Sequence, residues 1–165
     1  MDTKLILLRG PSGAGKSTIA RLLQKDSPRS ILLIEQDYYR NTVLGGKPDE
    51  KSLVPEMVYE NALTILSAGY DVIIEGIFRK QKYLPMFEQL MDNHAGENYM
   101  FYFDISFEET VRRHSTRSKA TQFGRDEMQD WYDLAEPLST KNEYIIKEAS
   151  SLTESTKFIK KIALI

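Results

Sequence analysis

The opening apolar run Leu5, Ile6, Leu7 and Leu8 has no polar position between Lys4 and Arg9 and predicts a first strand over residues 4–9. A glycine-rich turn follows, and then Ile19, Ala20, Leu22 and Leu23 supply one face of a helix over residues 17–24. A second short run, residues 31–34, lies between Ser27-Pro28 and Gln36-Asp37, and its continuous apolarity predicts strand two, buried on both faces. Residues 38–54 carry Gly45-Gly46 and Lys47-Pro48-Asp49 with no sustained apolar period, which predicts an irregular connection of a length that is often functional. Pro55 suits the first turn of a helix, Val58, Ala62, Ile65 and Leu66 recur at its spacing, and Gly69 can close it.

The alternation continues with a strand over residues 71–75, a helix carrying Leu84, Phe87, Leu90 and Met91, and an aromatic-rich strand over residues 99–104. Ser106 and Glu109 stand in capping-box spacing before a helix with Arg112-Arg113, and Ser151 and Glu154 repeat that spacing before Phe158, Ile159 and Ile162. Between them lie a short helix near residues 126–132 and a strand near residues 143–146. Five strands alternating with helices predict an α/β fold with a parallel sheet covered on both faces, since each parallel step needs a crossover. No repeat or linker composition divides the 165 residues, so one domain is expected.

Composition narrows the chemistry. With no cysteine, disulfides, thiolate metal sites and cysteine nucleophiles are excluded. Residues 5–8 are too short for a membrane span or a signal core, so a soluble, cytoplasmic protein with no membrane partner is expected. The net charge of -2 gives no general attraction for polyanions, so nucleic-acid binding would need a local patch.

Gly10-Pro11-Ser12-Gly13-Ala14-Gly15-Lys16-Ser17 matches G-x-x-x-x-G-K-[ST] in full, between a predicted strand and a predicted helix. Glycines let successive N–H groups converge on phosphate, and the helix N-terminus, which Thr18 continues, adds partial positive charge. Lys16 would reach the β- and γ-phosphates of ATP or another nucleoside triphosphate, and the Ser17 hydroxyl would ligate Mg²⁺.

Ligands of an open parallel sheet bind beyond the carboxyl ends of its strands, which draws attention to Asp37, Glu75 and Asp104. Asp37 is the candidate base for an attacking hydroxyl, the alternative being a surface turn residue. Glu75 can hold the magnesium's water shell or the acceptor, or it can cap a helix. Asp104, beside Ser106, reads as structural.

Arg113 and Arg117, four apart in a predicted helix, share one face and can stack on a base and clamp phosphate, or form a solvated basic face. Lys119 and Arg125 extend this charge into a Ser-, Thr- and Gly-containing segment composed like a lid, about 118–130. His94 and His114 have no metal-ligand spacing and are expected to be surface or packing residues, and Tyr102, Phe103, Trp131 and Tyr132 to be core or partial core.

With these residues in place the sequence resembles the P-loop kinases grouped around bacteriophage polynucleotide kinase, zeta toxin and chloramphenicol phosphotransferase. The resemblance rests on residues 10–17, on Asp37-Tyr38-Tyr39-Arg40, on residues 72–76 and on residues 111–117. It implies a three-layer P-loop NTPase fold with strand order 2-3-1-4-5, Asp37 as general base, Arg40 near the acceptor, and Arg113 and Arg117 as lid residues on adenine and phosphates. Strand three ends in Glu75 where relatives often show Asp. The segment from Phe123-Gly124 to Trp131-Tyr132 looks like small bacterial kinases of unassigned substrate.

The expected activity is therefore transfer of the γ-phosphoryl group to a hydroxyl of a small nucleoside-, sugar- or antibiotic-like acceptor, with a polynucleotide 5′-hydroxyl as the alternative and a non-catalytic nucleotide-binding regulator as the rival of another class. A GTPase switch would show N-K-x-D and a D-x-x-G after strand three, and neither is present. Within residues 36–55 the charges balance and Arg40 is the lone arginine, which predicts an uncharged acceptor rather than a nucleoside monophosphate, with Tyr38, Tyr39, Leu44 and Leu53 as its apolar wall.

Overall fold

The computed structural model describes residues 3–116, 123–132, 136–138 and 143–165. Strands β1 (Lys4–Arg9), β2 (Ile31–Glu35), β3 (Asp71–Gly76), β4 (Glu97–Asp104) and β5 (Glu143–Lys147) form one parallel sheet in the order β2-β3-β1-β4-β5. Helices α1 (Lys16–Asp26), α2 (Leu53–Ser67), α3 (Lys80–Asn93), α4 (Phe107–Ser115), α5 (Arg125–Tyr132) and α6 (Leu152–Ala163) connect and cover it.

The central strands have no polar alternation because both of their faces are covered, whereas β2, expected to be buried on both faces, lies at the sheet edge and buries Ile31 and Ile34 but leaves Leu32 and Leu33 half-buried. Leu5 and Leu7 of β1, with Val72 and Ile74 of β3, pack against α2 and α3 in one core. Ile6 and Leu8, with Ile73, pack in a second core against α1 and α6. A one-residue slip of β1 would exchange its contributions to the two cores, which fixes the register that sets Gly10 just beyond the sheet. Among the described residues no helix is long and apolar enough to cross a membrane.

Three local expectations change. The connection after β2 opens with a π-helical turn, Tyr38–Val43, that turns Tyr39 into the first core, where its hydroxyl accepts a hydrogen bond from Asn61 at 2.8 Å. Helix α2 then begins at Leu53 rather than Pro55, because the Asp49 carboxylate accepts from the backbone N–H groups of Leu53 at 2.6 Å and Val54 at 3.2 Å. Burial pushes the Asp49 pKa up, but hydrogen bonds from Lys82, Val54 and Leu53 outweigh it and hold the carboxyl below its ordinary range. The capping box forms at Ser151 and Glu154 but not at Ser106, since Glu109 is bonded instead to Arg112 and Arg113.

Candidate active site

The phosphate loop, residues 10–17, leaves the centre of the sheet and enters α1 at Lys16. The first turn of α1 has no acidic residue to compete for an anion, and Thr18 is exposed in it. Lys16 is buried and its Nζ donates to the Pro11 carbonyl at 2.8 Å, which holds the ammonium across the loop. Gly13 has φ +83, and a Cβ there would stand 2.7 Å from the Thr110 carbonyl oxygen, so α4 presses directly on the loop. Arg113 reinforces that contact. Its guanidinium donates to the Ala14 carbonyl at 3.1 Å, to Glu109 at 2.7 Å and to the Glu148 carbonyl at 3.1 Å, which places it as a brace behind the loop. Hydrogen bonds from Arg112 and Arg113 hold the Glu109 carboxyl down at about 2. Arg117 and Lys119, expected in the lid, lie outside the described residues.

Two of the three strand-end carboxylates reach this cleft, a space of about 90 Å³ also lined by Ser12, Lys16 and Ser17. Glu75 is buried at the end of β3 and accepts a hydrogen bond from Ser17 Oγ at 3.0 Å; it caps no helix. Burial pushes its pKa up, while the Lys16 ammonium and the Ser17 hydrogen bond oppose the shift. Asp37 is exposed on the cleft wall and, among the described residues, has no hydrogen-bond or ion-pair partner. Asp104 instead makes a surface ion pair with Lys147 at 2.5 Å. The donors fit a magnesium ion: a hydroxyl and a carboxylate sit side by side, and both line the cleft beside the phosphate loop. Among the described residues no group of three or more His, Cys, Asp or Glu gathers at one point, so the remaining ligands would come from nucleotide and water, as suits Mg²⁺.

His114 packs as expected, its ring stacked on Phe123 with centroids 4.3 Å apart, and together they form part of the cleft wall. His94 is buried and bonded to Thr3 and Asn98.

A second, larger cavity of about 410 Å³ adjoins the first, and Ile77 lines both. Arg40 stands in it, as does Lys47 from the same connection, but Arg79, Lys82, Tyr83 and Trp131 come from α3, the turn before it and α5. The aromatic wall is thus Tyr83 and Trp131. The expected wall of Tyr38, Tyr39, Leu44 and Leu53 does not form, because the π-helical turn directs Tyr39 into the core, Leu44 packs against that core, and Tyr38 and Leu53 are exposed.

The floor between the two cavities is held by residues that sequence reading passed over. Gln36 Oε1 accepts from the backbone N–H of Ile77 at 3.0 Å and of Phe78 at 3.4 Å, and a Cβ on Gly76 would fall 2.6 Å from that oxygen. Phe78 is fully buried with φ +49, a costly backbone state for a bulky residue that persists only under such constraint. Its carbonyl accepts from Arg9 Nη2 at 3.1 Å. Arg9, fully buried at the end of β1, also donates to Glu143 at 2.8 Å and to the Glu136 carbonyl at 3.1 Å, and burial lowers its pKa against the pull of Glu143. The Arg9 Nε is the single buried side-chain nitrogen or oxygen without a partner among the described residues.

Human NEDD4-binding protein 2 is 51% identical over 35 residues, covering 21% of the chain and 2% of that protein. Adenylate kinase from Ureaplasma urealyticum is 28% identical over 130 residues, covering 66% of the chain and 55% of the enzyme, so the chain spans about half the length of that relative or far less of the other. Among solved structures, a sugar kinase from Janibacter sp. HTCC2649 superposes with a TM-score of 0.77 at 16% identity, covering 98% of this chain and 94% of the other, which establishes the shared fold. The AAA domain family AAA_33 matches residues 5–138, a stretch that includes the phosphate loop, both cleft carboxylates and the turn between the two cavities. By that match the chain belongs to the AAA domain family.

Proposed function

We propose that the protein is a kinase that transfers the γ-phosphoryl group of ATP to a hydroxyl of a small-molecule acceptor. The observation that carries this reading is the pair of adjoining cavities: one is walled by the phosphate loop, Asp37 and Glu75, the other is large enough for a small ligand, and they meet at Ile77. A switch or a simple ATPase has no need of the second space.

The backbone N–H groups of residues 10–17 would cradle the β-phosphate, and Lys16 would leave the Pro11 carbonyl to reach the β- and γ-phosphates. Ser17 and Glu75 would hold Mg²⁺, which when bound neutralises charge on the phosphates. Asp37 would accept the proton of the acceptor hydroxyl as that oxygen bonds to the γ-phosphorus. The bond from that phosphorus to the β,γ-bridging oxygen then breaks, and ADP leaves. Arg40 would face the acceptor, Arg113 would hold the loop in shape beside the nucleotide, and Arg117 would supply charge to the transition state.

The test is a labelled-ATP assay over a panel of neutral and charged hydroxyl compounds, with an oligonucleotide carrying a 5′-hydroxyl included. ATP consumption should depend on an acceptor and vanish in Lys16→Ala with the fold intact. Acceptor-independent hydrolysis, or wild-type turnover in Lys16→Ala, refutes the reading.

A further inference from the structure

The larger cavity contains an arrangement of charge that balance along residues 36–55 conceals. Lys82 is neutralised there by Asp49, with Nζ 2.8 Å from Oδ2 and 3.2 Å from the Asp49 carbonyl. Arg40, Lys47 and Arg79 line the same space, and among the described residues none of the three side chains has a hydrogen bond or an ion pair. They arrive from separate places: Arg40 from the π-helical turn, Lys47 from the loop after it, and Arg79 from the residue before α3. The first turn of α3 brings no acidic residue to offset them. Burial pushes the Tyr83 hydroxyl pKa up, and a side-chain hydrogen bond with Gln36 and the charges of Arg40 and Arg79 oppose that shift. Unpaired cations gathered on one concavity repel one another and raise the local potential, a cost that an anion in the cavity removes.

We propose that the acceptor is a small hydroxyl compound bearing an oxyanion, a carboxylate or a phosphate ester, and that Arg40, Lys47 and Arg79 hold this group while the hydroxyl is presented to Asp37. The assignment of the reacting hydroxyl rests on the kinase reading above; the anion subsite does not. Arg79 is the main anchor. It follows Phe78, whose left-handed backbone is pinned by Gln36 and Arg9, so its Cα is fixed and its planar fork can pair bidentately with either oxyanion. Trp131 supplies an opposite apolar wall for the carbon skeleton. A volume of about 410 Å³ suits a molecule of metabolite size.

The experiment uses matched sets, glycerol with glycerate and glycerol 3-phosphate, and glucose with gluconate and glucose 6-phosphate. Each compound is measured twice, as acceptor with labelled ATP and, without nucleotide, by calorimetric binding. An anionic member should exceed its neutral partner in kcat/KM by about tenfold or more, and the carboxylate and phosphate arms identify which oxyanion is taken. Arg79→Gln and Arg40→Gln should raise KM for that member about 10–100-fold, the range expected for a lost charge-assisted hydrogen bond, with KM for ATP moving less than twofold. Both residues are exposed, so their thermal unfolding should match wild type. Equal or better use of the neutral members, unchanged KM in both variants, or transfer confined to the oligonucleotide overturns the proposal. Nucleotide-free binding of an anionic member that Arg79→Gln abolishes, with no transfer to any compound, would keep the subsite and overturn the kinase reading. Absence of both binding and transfer overturns both.

Discussion

Replacing Arg9 with methionine should destabilise the fold by about 3–5 kcal/mol, the usual cost of removing one member of a buried ion pair. The magnitude follows from the surroundings. The side chains of Arg9 and Glu143 are 0% and 1% exposed and sit 2.8 Å apart, so the loss of the guanidinium strands a carboxylate away from water. Glu143 keeps one hydrogen bond, from the Leu138 backbone N–H at 2.7 Å, while the carbonyls of Phe78 and Glu136 each lose a donor. For a chain of 165 residues each kcal/mol moves Tm by about 2–4 °C, so a fall of roughly 6–20 °C is expected. Urea unfolding of Arg9→Met, Glu143→Gln and the double variant closes a double-mutant cycle. The double variant should recover part of the loss, because no charge is then left unpaired. A single-variant loss under about 1 kcal/mol, or a double variant equal to the sum of the two singles, would refute the reasoning.

Asp37→Asn should retain ATP binding and lower turnover about 10²-fold or more, read by steady-state kinetics beside nucleotide titration; an equal loss of ATP binding would make Asp37 a metal ligand instead. Glu75 carries a pH signature. Its folded pKa lies above the ordinary 4.5 because of burial, so the stabilisation of its neutral form is complete below that value and is lost as pH rises through the folded pKa. Glu75→Gln should therefore be more stable than wild type at neutral pH, with the gap closing toward pH 4 in a thermal-melt series, and it should lose magnesium-dependent turnover. Gly13→Ala should cost about 1–3 kcal/mol and weaken ATP binding, since φ +83 and a Cβ 2.7 Å from Thr110 cannot both be accommodated without moving the loop; calorimetry of nucleotide binding checks it.

The strands and the phosphate loop were legible because their signals are local, whereas the order 2-3-1-4-5 was implied only by the family resemblance. Unbroken apolar runs such as Leu5 to Leu8 announce a strand, and residues 10–17 carry their own spacing. Asp37 and Glu75 could be found from their place after such runs. What escaped depends on neighbours distant in sequence. Arg9 reads as the polar end of a strand until Glu143 and Phe78 are beside it. Arg79 and Lys82 join Arg40 only because β2 and β3 are paired, which also delivers Gln36 to the Ile77 amide. Counting charge within residues 36–55 therefore missed half of the cavity. The start of α2 was misplaced for a related reason: its cap is Asp49, four residues back and tied to Lys82 on another helix. Phe78 offered no signal, since its left-handed backbone is imposed by contacts and runs against its own preference.

The Arg9–Glu143 pair also bears on how the chain folds. It joins residues 134 positions apart, and Glu143 stands on the edge strand β5, which reaches the sheet only through its pairing with β4. Contacts of such sequence separation raise the share of non-local pairing in the fold, which slows folding relative to chains dominated by local contacts. A chain still being synthesised cannot form this ion pair until residue 143 has emerged, so the buried environment that Arg9 has in the folded protein is completed only by the last strand.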